Sequence, residues 1–431
     1  MSEAADSVAM AVGPSKPSLL VIDASYTLGT IRELGLETSV LSRDLNGYFR
    51  HVWTVHPFGE LSAAFSDEGS GEAEWAALAP RHTFIQARPG RFRWLRRVFP
   101  LNFLLGQLHL FRVLRRLVRR ETISIIRAGD PLYVGLFGLA LAWSCRLPFM
   151  IRINADNDKA RELTGQPLYP RLLRSIGVEK RLERFLLPRA HLVVAPNQDN
   201  VAFALASGAQ PDRVAIFPYG NLLAPEHLAE PTERGCDRAL FDRLGIEPGA
   251  YLLCVSRLQS VKFPDDAVRV LANLRSRGMD VKLLLAGEGP MREELLELAE
   301  TTVVSNALVL AGNQDQRALA QLYVHAAVVI SPLTGRALSE AALAAAPIVA
   351  YDLDWQGEMI ETGVTGQLVP FRNQAALADA AAEFMTGRKF ARAMGNAVRQ
   401  RALSIFEPVG LNDHERREHD KLLGRSGREA E

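Results

Sequence analysis

The sequence predicts an α/β protein of two open, parallel-sheet domains facing each other across a cleft. Three observations lead there. At 431 residues the chain is too long for one hydrophobic core and suits two domains of about 150–200 residues. Its second half repeats short apolar runs: "YLLCVS" from Tyr251, "VKLLLAG" from Val281, "ALVLAG" from Ala307, "AAVVIS" from Ala326 and "APIVAY" from Ala346. Between them lie amphipathic stretches such as "PDDAVRVLANLRSRG". Near-continuous apolar strands alternating with helices make βαβ units and a sheet covered on both faces.

The first half follows the pattern more loosely, in "SLLVID", "HVWTV", "SIIRAG", "FMIRIN", "HLVVAP" and "VAIFPYG". Residues 1–16 read as a disordered tail and 17–222 as the first domain. Residues 223–250, with three prolines and a charge cluster, read as the linker region, and 251–404 as the second domain. No period of 20–50 residues recurs, so a solenoid is excluded. In open parallel sheets, ligands bind beyond the carboxyl ends of the strands. Here those ends would line the cleft.

Composition narrows the function classes. With 48% hydrophobic residues the chain is globular, and a net charge of +1 gives no electrostatic case for nucleic acid. Cys145, Cys236 and Cys254 form no CxxC pair, which implies neither a disulfide framework nor a zinc site and fits a reducing, cytoplasmic setting. The longest uncharged stretch, "PLYVGLFGLALAWSC", is shorter than the about 20 residues of a membrane span and reads as a buried helix.

The chemistry sits at strand ends. Arg257 and Lys262 follow the strand "YLLCVS" in a loop leading to a helix near Pro264. Two cations there can hold a diphosphate, although each alone is an ordinary surface cation. Gly287 and Gly289 flank Glu288 after the next strand, and Pro290 suits the first turn of the following helix. This is no Walker A loop, and Arg292 breaks GxGxxG. Gly335 opens an alanine-rich helix that carries Glu340. A helix N-terminus attracts phosphate, and a carboxylate a turn later can accept both ribose hydroxyls.

The order of these parts, with "AGN" at Ala311–Asn313 and "SPLTGRALSEAALAAAPIVAYD" after it, resembles the carboxy-terminal domain of the retaining GT-B glycosyltransferases of family 4. The likeness runs closely from Tyr251 to Pro370. It continues more weakly through "VEKRLERFLLPRAHLVVAPNQDNVAFALASGAQPDRVAIFPYGN". It implies two Rossmann-like domains, with residues 405–431 forming a crossover helix and tail that return to the first. It also implies that Arg257 and Lys262 hold the diphosphate of a UDP- or GDP-sugar and that Glu340 takes the ribose. Gly287 would lie at the donor, the Gly312–Asn313 turn would edge the base, and Thr334, Gly335 and Arg336 would border the phosphates and sugar. Glu358 takes a supporting role. The family has a glutamate eight positions before Glu340; here that residue is Pro332.

The implied reaction moves a sugar to a glycan or lipid-linked acceptor in envelope polysaccharide, exopolysaccharide or glycolipid synthesis, with no required cofactor. Preorganised cations and helix N–H groups stabilise the charge growing on the leaving diphosphate. The alternatives are a sugar-nucleotide epimerase of the same fold and a non-catalytic membrane-bound partner, the latter supported by Pro332. Asp352-x-Asp354 mimics a metal motif but follows a strand and precedes a short helix, so capping is expected there and no metal. Asp130, Asn154, Asp156 and Asn157 lie after first-domain strands, and Asp156 is the residue chosen to orient the acceptor hydroxyl. His51, His56 and His82 fall in segments the sequence does not place.

From Arg88 to Arg120 there are ten arginines and no acid. Arg112, Arg115, Arg116, Arg119 and Arg120 follow helical spacing along one face, and Trp94 lies upstream among arginines and phenylalanines. An ordinary basic surface helix would look similar. The one-sided run favours an anionic membrane surface on the inner face of the cytoplasmic membrane.

Overall fold

In the computed structural model, residues 16–425 are described except 34, 62–65, 67 and 68. The expected N-terminal tail, but for Lys16, lies outside the described residues, as do residues 426–431.

The apolar runs become two sheets. The first holds β1 (Ser18–Ile22), β2 (His51–His56), β3 (Glu74–Ala79), β4 (His82–Gln86), β5 (Ile125–Ala128), β6 (Phe149–Arg152), β7 (Leu192–Ala195) and β8 (Val214–Ile216). Their order is β3-β4-β2-β1-β5-β6-β7-β8, and every pairing is parallel except the β3–β4 hairpin at the edge. The second holds β9 (Tyr251–Val255), β10 (Lys282–Ala286), β11 (Leu308–Gly312), β12 (Val328–Ser331), β13 (Ile348–Tyr351) and β14 (Gln367–Val369), in the all-parallel order β11-β10-β9-β12-β13-β14. β3, β4 and β14 were not expected from the sequence. β3 is half exposed, and its sequence, EWAALA, is rich in alanine, which favours helix over strand.

Each sheet has a hydrophobic core on both faces, which is why its central strands are apolar throughout. Residues 223–250 fold as short helices, including Arg238–Leu244, and Leu223, Leu240, Phe241 and Ile246 pack into one core of the second sheet. The stretch from Pro131 to Cys145 forms the helix Tyr133–Cys145, mostly buried, with Leu136 and Trp143 exposed. No helix is long and apolar enough to cross a membrane among the described residues.

The chain crosses back at its end. The helix Pro408–Leu422 lies against the first domain, where Tyr48 Oη donates to Asp420 (2.7 Å) and Arg416 Nε to the Leu45 carbonyl (3.1 Å). Leu422 and Leu423 pack against the first sheet beside Phe49 and Phe217.

Strand order reverses direction twice, between β1 and β5 in the first sheet and between β9 and β12 in the second. Such switch points open a crevice beyond the strand ends. Asp23 and Asp130 border one; Arg257 and Gly335 border the other.

Candidate active site

The donor side is built from four strand-end loops, three of them tied by backbone hydrogen bonds. Ser256 N–H donates to the Ala286 carbonyl (3.1 Å), Leu258 N–H to Glu288 (3.0 Å) and Gly287 N–H to Gly312 (2.8 Å). The packing explains the glycine at 287. Its φ is +142°, and a Cβ there would stand 2.0 Å from the Ser256 carbonyl oxygen. Gly287 therefore holds the loop that carries Arg257, and any side chain would push that loop away. Pro290 differs from expectation: the helix after it is Arg292–Thr301, with Met291 at its N-cap, so the proline lies outside.

Lys262 closes a 3-10 turn, Ser260–Lys262, just before the helix Pro264–Ser276. Burial, and then Arg257, push its ammonium down to about 8, with Asp354 working the other way. Two cations brought together, one half-buried and the other exposed, favour an anion between them. Gly335 is the N-cap of the helix Arg336–Leu343 at φ +67°, and a Cβ on it would come within 3.7 Å of Lys262 Nζ. The structure thus brings Arg257, Lys262 and the Gly335 helix start to one place.

Glu340 is buried in that helix and already engaged. Tyr323 Oη donates to it at 3.2 Å, and Arg336 Nε lies 3.4 Å from its other oxygen. Arg336 also reaches the first domain, donating to Ser39 Oγ (3.2 Å) and the Leu222 carbonyl (3.4 Å). Thr334 Oγ1 pairs with Ser331 Oγ at 2.5 Å. Gly312 and Asn313 form the outer rim, where a Cβ on Gly312 would meet Glu288 Oε1 at 2.9 Å.

The acceptor side has its own buried carboxyls. Asp23 is pulled down to about 2: burial acts to raise it, but the ion pair with Arg43 (2.5 Å) and hydrogen bonds from Ser25 prevail. Burial pushes Asp130 up to about 6 against hydrogen bonds from Tyr169 Oη (2.6 Å) and Leu132 N–H (2.8 Å). Asn154 Nδ2 donates to the Gly129 carbonyl (2.9 Å).

Asp156 is the N-cap of the helix Asn157–Thr164, one oxygen accepting from Asp158 and Lys159 N–H. Asn157 is buried and donates to Glu183 (2.6 Å), away from any substrate role. The helix packs against the turn that carries Lys262. A buried network fixes it from below: Arg161 meets Glu179 at 3.0 Å and Glu183 at 2.6 Å, with all three side chains almost fully buried. His56, at the end of β2, is buried and pushed down to about 4 by that burial; its Nδ1 accepts from Gly59 N–H (2.9 Å). It lies within electrostatic reach of Asp23. His51 stacks on Trp53, and His82 is buried in β4.

Besides Arg336, two carboxylic side chains of the second domain reach the first. Glu358 accepts from Gln198 N–H (3.0 Å) and Asp199 N–H (2.8 Å), so a second-domain carboxylate caps a first-domain helix, Gln198–Ala206. Asp354 corrects the sequence expectation. The helix Gln356–Met359 begins at Trp355 and has no side-chain cap. Burial, then a hydrogen bond with Asp199 across the cleft, push the Asp354 carboxyl up to about 7. Lys159 bonds Asp199 in turn. Sequence reading missed Asp199 and this role of Asp354, because their pairing depends on how two domains meet.

The arginine-rich segment forms the helix Phe99–Arg120. Leu110, Leu114 and Val118 are buried, while Arg112, Arg115, Arg116, Arg119 and Arg120 are exposed. The same exposed side continues through Leu108, Leu104 and Leu101 to Val98 and Trp94, which is 78% exposed. That apolar half was not read from the sequence.

The family model described as "Glycosyl transferase 4-like domain" matches residues 31–220, and the one described as "Glycosyl transferases group 1" matches 238–401. The chain is 30% identical over 200 residues to the D-inositol 3-phosphate glycosyltransferase of Nocardia farcinica, covering 44% of this chain and 43% of that one. It is 32% identical over 162 residues to a glycogen synthase of Mycobacterium tuberculosis, covering 37% and 39%. The matched stretch spans about two fifths of the length of these curated relatives. Among solved structures, Anabaena HepE in complex with UDP-glucose superposes with a TM-score of 0.71 at 16% identity, over 94% of this chain and 99% of that one. Sucrose-phosphate synthase of Thermosynechococcus elongatus gives 0.70 at 15% identity, over 95% and 100%. With two domain models matching in order along a two-sheet architecture, the chain belongs to the family 4 glycosyltransferases and has the GT-B fold.

Proposed function

We propose that this protein is a retaining glycosyltransferase that moves a sugar from a UDP- or GDP-sugar to a glycan or lipid-linked acceptor, in synthesis of envelope polysaccharide, exopolysaccharide or glycolipid. The observation that carries the reading is the convergence of Arg257, Lys262 and the Gly335 helix start at a switch point facing the other domain. Negative charge develops on the leaving diphosphate. The two cations and the helix N–H groups are fixed before the reaction, so they stabilise that charge without reorganising. Glu340 takes the ribose hydroxyls by exchanging its contact with Arg336. Gly287 and the Gly312–Asn313 turn line the nucleotide, and Thr334 borders the phosphates. The acceptor enters between the loops of Asp130 and Asp156, where the Asp156 oxygen outside the helix cap lies 4.0 Å from the Lys159 ammonium.

The exposed stripe from Trp94 to Arg119 supports a reading in which the enzyme attaches peripherally to an anionic membrane surface, on the inner face of the cytoplasmic membrane. Apolar side chains enter the headgroup boundary while arginines meet lipid phosphates.

A thermal-shift panel with UDP, GDP, ADP and dTDP tests the donor site. One nucleotide should raise the melting point of the wild-type chain, since a ligand at 100 times its Kd stabilises by about 2.7 kcal/mol. The shift should vanish in an Arg257→Ala/Lys262→Ala variant. No shift with any nucleotide would overturn the reading. Pro332 favours one second reading, a non-catalytic partner that kept the fold; acceptor-dependent release of free nucleotide would exclude it.

A further inference from the structure

Resting on that donor reading, the geometry points to Asp354 as the residue that contacts the hydroxyls of the transferred sugar, in the role left open by Pro332. The turn carrying Asp354 is tied to the Pro332 loop. Gln356 Nε2 donates to the Pro332 carbonyl (3.1 Å) and to the Tyr351 carbonyl (2.9 Å), and Ser331 Oγ donates to Gln356 Oε1 (2.7 Å). The two loops therefore move as one body, and a carboxyl on the second can stand in for one missing on the first.

Asp354 occupies the part of the cleft where a donor sugar must lie. From the second domain it feels Lys262; from the first it feels Lys159 and Asp199. A sugar attached to a diphosphate at Lys262 extends from the phosphates toward the acceptor domain, and Asp354 lies between the two. Tyr219, also within its field, donates to the Asn154 carbonyl on the acceptor side (3.0 Å).

Two further observations fit a ligand contact better than a structural one. Asp354 holds φ +58°, a left-handed conformation that an aspartate adopts at a cost and that glycine would fill freely. It shares a hydrogen bond with Asp199, and neither Asp354 Oδ1 nor Asp199 Oδ2 has any other partner. Two carboxyls share such a bond only while one is protonated, and a sugar hydroxyl, both donor and acceptor, would serve both in either state. A carboxyl pushed up to about 7 is present in both protonation states at neutral pH and matches either sense of that bond.

The test compares each nucleotide with its sugar form, on the full chain, by calorimetry: UDP against UDP-glucose, and GDP against GDP-mannose. Asp354→Gly suits the positive φ, so it preserves the turn; Asp354→Asn keeps the size and a hydrogen-bonding group. For the pair that wild type binds, Asp354→Gly should leave nucleotide affinity within about twofold. It should weaken the nucleotide-sugar about tenfold or more. Asp354→Asn should fall between. Equal losses for nucleotide and nucleotide-sugar, or no loss for either, would overturn the inference and leave Asp354 as an interdomain contact. Failure of wild type to bind any nucleotide would instead overturn the donor reading, so the two failures are read separately.

Discussion

Lys262 and Gly335 close on one space from two different strands: a Cβ added to the glycine would lie 3.7 Å from the lysine ammonium. That is an ordinary contact distance; glycine is required instead by the backbone, whose φ of +67° at the helix start would strain any side chain. The lysine is held near a titration point by burial and by Arg257, down to about 8. A diphosphate binds its charged form. Nucleotide affinity should therefore be flat below about pH 8 and fall up to tenfold per unit above it, measured by calorimetry from pH 7 to 9.5. Lys262→Arg, which does not titrate there, should flatten the profile. The stability effect has the opposite sense. Between about 8 and the ordinary lysine value of 10.5 the unfolded chain binds more protons, so stability of the free protein rises with pH in that window.

Glu358 caps a helix of the opposite domain with two hydrogen bonds, of 2.8 and 3.0 Å. Glu358→Ala removes both, and N-cap losses cost about 1 kcal/mol. The cleft should open more readily, seen as a larger radius of gyration in X-ray scattering and faster hydrogen exchange at the Gln198 and Asp199 amides. Glu358→Gln should retain part of the effect, because its carbonyl still accepts one bond.

Arg161 pairs with two buried carboxylates, Glu179 and Glu183. Glu179 also accepts from the N–H groups of Leu168 (3.0 Å) and Tyr169 (2.7 Å), so the network shapes the segment that brings Tyr169 to Asp130. Arg161→Ala leaves buried charge unpaired and should cost about 3–5 kcal/mol in urea unfolding. Arg161→Lys should recover little, since one ammonium cannot replace the fork that spans both glutamates.

The stripe on the helix Phe99–Arg120 separates two contributions to membrane binding. Charge reversal at Arg115, Arg116 and Arg119 should release the protein from anionic liposomes in sedimentation, and added salt should do the same to wild type. Leu101, Leu104 and Leu108 are exposed, so changing them to serine should leave the melting point within about 1 kcal/mol of stability while weakening binding even at low salt.

The sequence discloses what is local and apolar. Runs such as Leu252–Cys254 and Val328–Ile330 are buried on both faces and so carry a strand signal without alternation. Gly335 was legible as a helix start because glycine at that point has few other reasons to precede an alanine run. The hairpin of β3 and β4 was not legible, since the alanines of Glu74–Ala79 suit a helix at least as well as an edge strand. Nor was the role of Asp354: Asp199 lies far away in sequence, and an aspartate before a short helix looks like a cap. Asp156 shows the converse, a residue chosen for chemistry whose visible bonds are those of an N-cap.

The returning helix Pro408–Leu422 has a consequence for how the protein is made. Tyr48 and Asp420, hydrogen-bonded in the finished molecule, are separated by 372 residues of chain. At about 5–20 residues per second, roughly 20–75 s of translation separate them. From the synthesis of Phe217 onward, the apolar face around Leu19, Phe49 and Phe217 waits for Leu422 and Leu423 to cover it. The last helix is thus the seal on the first domain's folding, and yield in the cell should depend on how quickly it arrives.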